Sequence, residues 1–182
     1  MVTGKKVKYT YKDYAKLPEG APYQLIGGDL VKSPSPVPYH QGLAGRFHLL
    51  FAELEKKGKG KVFFSPIDVY LGETETYQPD LIFICSDRLH IIGDKKIEGP
   101  PDIVVEILSP SNAYYDLRHK KDVYEHTGVK EYWVVDPPEK RVEVYVNSAN
   151  GFTISARADE KGTVASVLFP EIVVSLEELF RE

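Results

Sequence analysis

Glu106 stands inside a short apolar run, Ile103-Val104-Val105-Glu106-Ile107-Leu108, bounded by Pro100-Pro101 and by Ser109-Pro110-Ser111. Such a run reads as a strand covered on both faces. Side chains alternate along a strand, so Val104, Glu106 and Leu108 share one face and Ile103, Val105 and Ile107 the other. A lone carboxylate is costly to bury unless a cation or hydrogen-bond donors compensate it. Glu106 therefore either lies near a strand end that opens to water or meets something positive. A second carboxylate, Asp80, follows Pro79 and directly precedes another apolar run, Leu81 to Cys85. If the two strands are neighbours, both acids can face one hard cation. Mg²⁺ takes oxygen ligands, one or two of them carboxylates, and keeps several waters.

Hydrolysis at such a centre also needs a group that orients water and offsets developing negative charge, and a lysine serves. The strand does not supply one, because Leu108 holds the position two beyond Glu106. The segment that follows offers Lys120 and Lys121. Leu117 and Tyr124 are expected on one core-facing helical stripe with both lysines between them, and Asp116, four residues before Lys120, could pair with it.

The elements that must position these groups can be read from the pattern. Thr10 can cap a helix over Tyr11 to Leu17, which Pro18 and Gly20 end. "YQLIGGDLVKS" reads as a hairpin turning at Gly27-Gly28. Leu43, Phe47, Leu50, Phe51 and Leu54 recur at helical spacing between His40 and Lys57, and Gly58 stops that helix. Strands are expected at 62–64, 67–71 and 81–85. Ser109 or Ser111 can cap a helix running to about His126 with Gly128 as its stop. "VKEYWVVD" and "RVEVYV" are two further strands, and Ser175 with Glu178 forms a capping box for a last helix. Helices and strands in this order predict an α/β or mixed α+β protein, one sheet with helices packed on it.

The 182 residues suffice for one domain, expected to span 1–182. With 42% hydrophobic and 27% charged residues the composition is that of a soluble globular protein, and no stretch approaches the length of a membrane span. The N-terminal "MVTGKKVKYTYKDYAKL" lacks an apolar core, so no signal peptide is expected and the location expected is cytoplasmic. A single cysteine, Cys85, excludes an intramolecular disulfide framework and a cysteine-based zinc cluster. The formal net charge of −4 argues against a surface coated in basic groups, though not against a local patch. The candidates are Lys56 to Lys61 and Arg118 to Lys121, each of which also reads as a solvated face.

"YQPDLIFI", "PDIVVEILSPS" and "DLRHKKDVYEHTGVKEYWVVDP" together resemble the Uma-two family of restriction-endonuclease-like proteins, in the PD-(D/E)XK nuclease superfamily. The likeness runs from about "YQLIGGDLV" to "RVEVYV". It implies a restriction-endonuclease-like fold, a central mixed sheet flanked by helices. It implies a metal-dependent endonuclease acting on DNA, with Mg²⁺ or Mn²⁺ as cofactor and a homodimer to cut both strands. Asp80 matches the first acid of the superfamily motif and Glu106 the second. The motif's lysine is moved to the following helix, where the spacing matches Lys120. Asp29 matches an acid of the family's hairpin and is a further candidate metal ligand, whereas two other acids of that hairpin are Gln24 and Gly27 here. His40 matches a histidine at the start of the long helix.

Each residue also has a plainer reading. Asp80 can start a turn, Lys120 can be a surface residue, Asp29 can be a turn residue beside Gly28, and His40 can begin a helix without touching a site. Asp102 reads as a strand-edge residue, and Tyr132 and Trp133 as core. Two other functions fit the same residues: a non-catalytic nucleic-acid- or protein-binding module of this fold, and a hydrolase acting on another phosphate-bearing substrate.

Overall fold

The Glu106 run is strand β8 of a computed structural model that describes residues 7–109, 113 and 115–181, with the backbone alone at 116. In chain order the elements are α1 (Tyr11–Tyr14), β1 (Tyr23–Ile26), β2 (Asp29–Lys32), α2 (Pro38–Lys56), β3 (Gly60–Phe64), β4 (Val69–Gly72), β5 (Glu75–Tyr77) and β6 (Leu81–Cys85). A 3₁₀ turn (Ser86–Ile91) leads to β7 (Ile97–Glu98) and β8 (Ile103–Ile107). A π-helical segment (Tyr115–Lys120) then runs into α3 (Lys121–Thr127), followed by β9 (Glu131–Asp136), β10 (Arg141–Ser148), β11 (Gly151–Asp159), β12 (Thr163–Ala165), β13 (Val173–Ser175) and α4 (Leu176–Leu179).

The central sheet has six strands in the order β11-β10-β9-β8-β6-β3, and β8 with β9 is its parallel pair. A second sheet has the order β2-β1-β5-β4-β7, and β12 pairs with β13. The faces of β8 divide as alternation requires. Ile103, Val105 and Ile107 pack with Leu43, Phe47, Phe51 and Leu54 of α2, with Trp133, and with Leu176 and Leu179 of the tail. Val104 and Leu108 pack on the other side with Tyr124, Tyr132, and Ile26, Val69 and Tyr77 of the second sheet. The central sheet is thus covered on both faces, which is why its strands carry unbroken apolar runs.

Several local expectations hold. The hairpin turns at Gly27 and Gly28, both at positive φ (57° and 76°), as a two-residue turn of this hand requires. Gly128 ends α3 in the left-handed region. Ser175 opens α4 by accepting from Glu178 N at 3.4 Å.

Others need correction. The first helix stops at Tyr14, three residues short of Leu17. Among the described residues after β8, Ala113 is α-helical, Tyr115–Lys120 take the wider π winding, and the α-helix resumes at Lys121. That winding breaks the 3.6-residue stripe, so Leu117 is exposed while Tyr124 is fully buried. Strand β5 carried no sequence signal long enough to be seen. The Ser111 cap and the Asp116–Lys120 pair lie outside the described residues.

Asp102 directly precedes β8, at the strand's edge as expected. It is fully buried and accepts from Cys85 N at 2.8 Å, Arg88 Nη1 at 3.1 Å and Lys130 Nζ at 2.7 Å. Burial alone would raise its pKa, but the Lys130, Cys85 and Arg88 donors together hold it below the usual carboxylate range. Cys85 is half-buried beside it, and desolvation pushes its thiol up to about 11. Glu131 is likewise fully buried and accepts from Trp133 Nε1 at 3.1 Å, Ser166 Oγ at 2.8 Å, and Val167 N and Leu168 N at 2.6 Å each. It pins the loop before β13 to the start of β9.

Candidate active site

Strands β6 and β8 are antiparallel neighbours, with Leu81 opposite Val105 and Ile82 opposite Val104. One further step along that register sets Asp80 across from Glu106, at the end where β6 begins and β8 finishes. The two carboxylates that the sequence singled out are therefore brought to one end of one sheet.

Asp80 Oδ2 accepts from Ile107 N at 2.7 Å. Its Oδ1 takes no hydrogen bond among the described residues, and its side chain is 19% exposed. His40, in the first turn of α2, donates from Nε2 to Ile107 O at 3.0 Å and lies 3.4 Å from Asp80 Oδ2. The histidine expected at the start of the long helix therefore touches the site. Burial acts to lower its pKa, yet the Asp80 hydrogen bond and charge, the Ile107 carbonyl and the Glu106 charge together leave it raised. Its Nδ1 is buried without a hydrogen-bond partner among the described residues.

Glu106 is 3% exposed. Its Oε1 accepts from Lys120 Nζ at 3.0 Å and from Tyr124 OH at 2.7 Å. Something positive does meet the strand carboxylate, and it is Lys120, itself 2% exposed. Neighbouring Lys121 instead lies over the Tyr145 ring, 3.7 Å from its centroid. The π winding ends at Lys120, and extra residues per turn of this kind re-aim side chains and recur at functional sites.

Asp29 sits at the first position of β2, where Lys8 Nζ is 3.3 Å from its Oδ2. Among the described residues no group of three or more His, Cys, Asp or Glu side chains is arranged to hold a metal ion. What the site offers a hard cation is a pair of carboxylates from adjacent strands, with an oxygen of Asp80 open to it. That donor set suits an ion that keeps most of its waters.

Sequence reasoning missed several participants. Tyr124 was read as core alone, although it lies one helical turn beyond Lys120 and a buried phenol needs a partner. Gln24, at a position where the family's hairpin has an acid, is 5% exposed. Its Oε1 accepts from Gln78 N at 2.9 Å and its Nε2 donates to Ser33 Oγ at 2.7 Å, so it holds the Gln78-Pro79-Asp80 approach to β6. Glu75 accepts from Gly27 N at 3.0 Å, from His119 Nε2 at 3.1 Å and from the Tyr77 hydroxyl, all on Oε2. Nothing in the local sequence marked it, because its partners come from three separate segments.

Fold and site together define an α/β protein whose mixed central sheet carries, at one end, a buried lysine–carboxylate pair beside a second carboxylate. Residues 11–177 match the Uma2 family, described as "Putative restriction endonuclease", and the chain belongs to that family. It is also similar to a protein of Anabaena variabilis whose crystal structure is described as that of a putative nuclease belonging to DUF820. The two share 21% sequence identity with a TM-score of 0.77, over 94% of this chain and 97% of the other. At that identity the likeness is one of fold, and it agrees with the mixed sheet flanked by helices that the resemblance implied. No curated protein matches the chain.

Proposed function

We propose that the protein is a metal-dependent endonuclease that hydrolyses phosphodiester bonds of DNA. The observation that carries this reading is the meeting of Asp80, Glu106 and Lys120, far apart in sequence, at one end of β6 and β8. Asp80 and Glu106 would hold Mg²⁺, or Mn²⁺ in its place. The ion would polarise a phosphoryl oxygen and make a bound water more acidic. Ile107 N orients Asp80, and Lys120 with Tyr124 orients Glu106. The Lys120 ammonium offsets negative charge as the phosphate becomes five-coordinate. Asp29, beside Lys8, is the further candidate ligand that the resemblance implies.

With a net charge of −4, attraction for a phosphate backbone must be local. The Arg118–Lys121 run leads directly into the site, and Arg118 is exposed. Cutting both strands would call for two copies, a homodimer. The acidic balance also suits the second reading, a binding module of the same fold.

The test is plasmid nicking with and without Mg²⁺ or Mn²⁺, comparing wild type with Glu106→Ala and Lys120→Ala. Metal-dependent cutting that both variants lose is expected. Folded wild-type protein that cuts with neither metal refutes the nuclease reading and favours the binding module.

A further inference from the structure

Lys120 is delivered by the π-wound segment that leads into α3. The π winding spans only Tyr115–Lys120, and Leu117 and Arg118 within it face solvent. Long side chains so placed need tertiary ties to keep one rotamer, since ordering a lysine costs side-chain entropy. Two ties other than Glu106 are visible. Lys120 Nζ lies 5.7 Å from the centroid of the Tyr77 ring, a cation–π contact. The preceding residue, His119, reaches across to the second sheet and donates to Glu75.

Both ties end on one atom. Glu75 Oε2 accepts from the Tyr77 hydroxyl and from His119 Nε2, and also from Gly27 N at the tip of the β1–β2 hairpin. Glu75 and Tyr77 are two apart on β5 and so share a face. The Tyr77 ring is fully buried and meets the Tyr124 ring edge-on, with centroids 5.6 Å apart. The hairpin tip closes the arrangement from the other side. A Cβ on Gly27 would sit 3.2 Å from His119 Cε1, so glycine there leaves room for the imidazole.

We infer that Glu75 is a positioning residue for Lys120: its carboxylate fixes the Tyr77 ring under the ammonium and anchors the neighbouring His119, so that the π segment presents the lysine to Glu106. This rests on the nuclease reading for its catalytic meaning, but the positional claim stands on the contacts alone. Glu75 touches neither Asp80 nor Glu106 among the hydrogen bonds of the described residues, so it acts through Lys120.

The experiment uses the full chain and two readouts. In Glu75→Gln, one amide oxygen replaces an anionic acceptor of three donors. Amide hydrogen exchange across 117–121 should then speed up about tenfold or more, with the central sheet unchanged. If the wild type cuts plasmid, kcat should fall about tenfold or more with KM for DNA held within about twofold, because misplacement of a catalytic group by an ångström is enough for such a loss. His119→Ala should reproduce both effects. His119→Gln, whose Nε2 can donate like the imidazole Nε2, should restore them, which keeps the test open should Glu75→Gln fail to fold. Wild-type exchange rates at 117–121 in Glu75→Gln, or in His119→Ala, overturn the inference. A wild type that cuts nothing refutes the nuclease reading, and the exchange measurement still decides the positional claim.

Discussion

Replacing Lys120 by methionine removes one charge from a pair that is almost wholly out of water. Lys120 and Glu106 are 2% and 3% exposed and meet at 3.0 Å. Methionine keeps most of the side-chain volume, so the loss is electrostatic. Breaking a buried pair by removing one partner costs about 3–5 kcal/mol. One feature places this site at the lower end: the Tyr124 hydroxyl still donates to Glu106 Oε1 at 2.7 Å, a charge-assisted bond worth about 1.5–3 kcal/mol. The expected destabilisation is about 3 kcal/mol at pH 7, or roughly 6–12 °C in Tm for a chain of this size. Urea unfolding followed by the fluorescence of the single tryptophan, the buried Trp133, measures it. Glu106→Gln combined with Lys120→Met removes both charges and should recover most of the loss, with a coupling of about 2 kcal/mol or more. A single variant within about 0.5 kcal/mol of wild type, or a double variant that is merely additive, refutes the buried-pair account.

Asp102→Asn should destabilise by about 3 kcal/mol at neutral pH, since Arg88 and Lys130 lose their shared carboxylate. The folded-state pKa of Asp102 is lowered, so its contribution is full above the unfolded value of about 3.9 and is lost as pH falls through the folded one; unfolding curves of wild type and variant should converge in acid. Glu131→Ala leaves Ser166 Oγ and the Val167 and Leu168 amides without their acceptor, and should open the loop before β13 to limited proteolysis while β8 and β9 stay protected from exchange. An undigested loop would show that other contacts hold it. Gln24→Ala frees Gln78 N on the approach to Asp80 and should cost about 1–2 kcal/mol by urea unfolding, as loss of a buried hydrogen-bond partner does.

The sequence was most legible where a residue contradicted its surroundings. A carboxylate inside Ile103–Leu108 demanded a cation, and the strand's alternation told which face it would occupy. The PD dipeptide ahead of a second apolar run suggested its partner. The α2 stripe, the Gly27-Gly28 turn and the Gly128 stop were read from periods and backbone preferences that act over a few residues. The burial of Asp102 and of Glu131 was passed over because what makes a buried carboxylate tolerable is its donors, and those came from Arg88 and Lys130 in one case and from 166–168 in the other.

By itself the sequence determined most of the elements, the two-sided burial of the central strands, and the need for a positive group at Glu106. Periodicity left two lysines open and the resemblance pointed to Lys120, which the tertiary structure shows on Glu106. Lys120 and Lys121 are adjacent, and a regular helix gives no reason to prefer one. The π winding changes the angle at which each leaves the segment, and winding of that kind is set by what the segment docks against, here His119 on Glu75 and Tyr124 on Glu106. The setting of Asp29 likewise followed from Lys8 and the hairpin, contacts outside the reach of any local pattern. Spacing along a chain encodes local geometry, whereas the meeting of Asp80, Glu106 and Lys120 depends on strand order and helix phase, which are settled by packing over the whole fold.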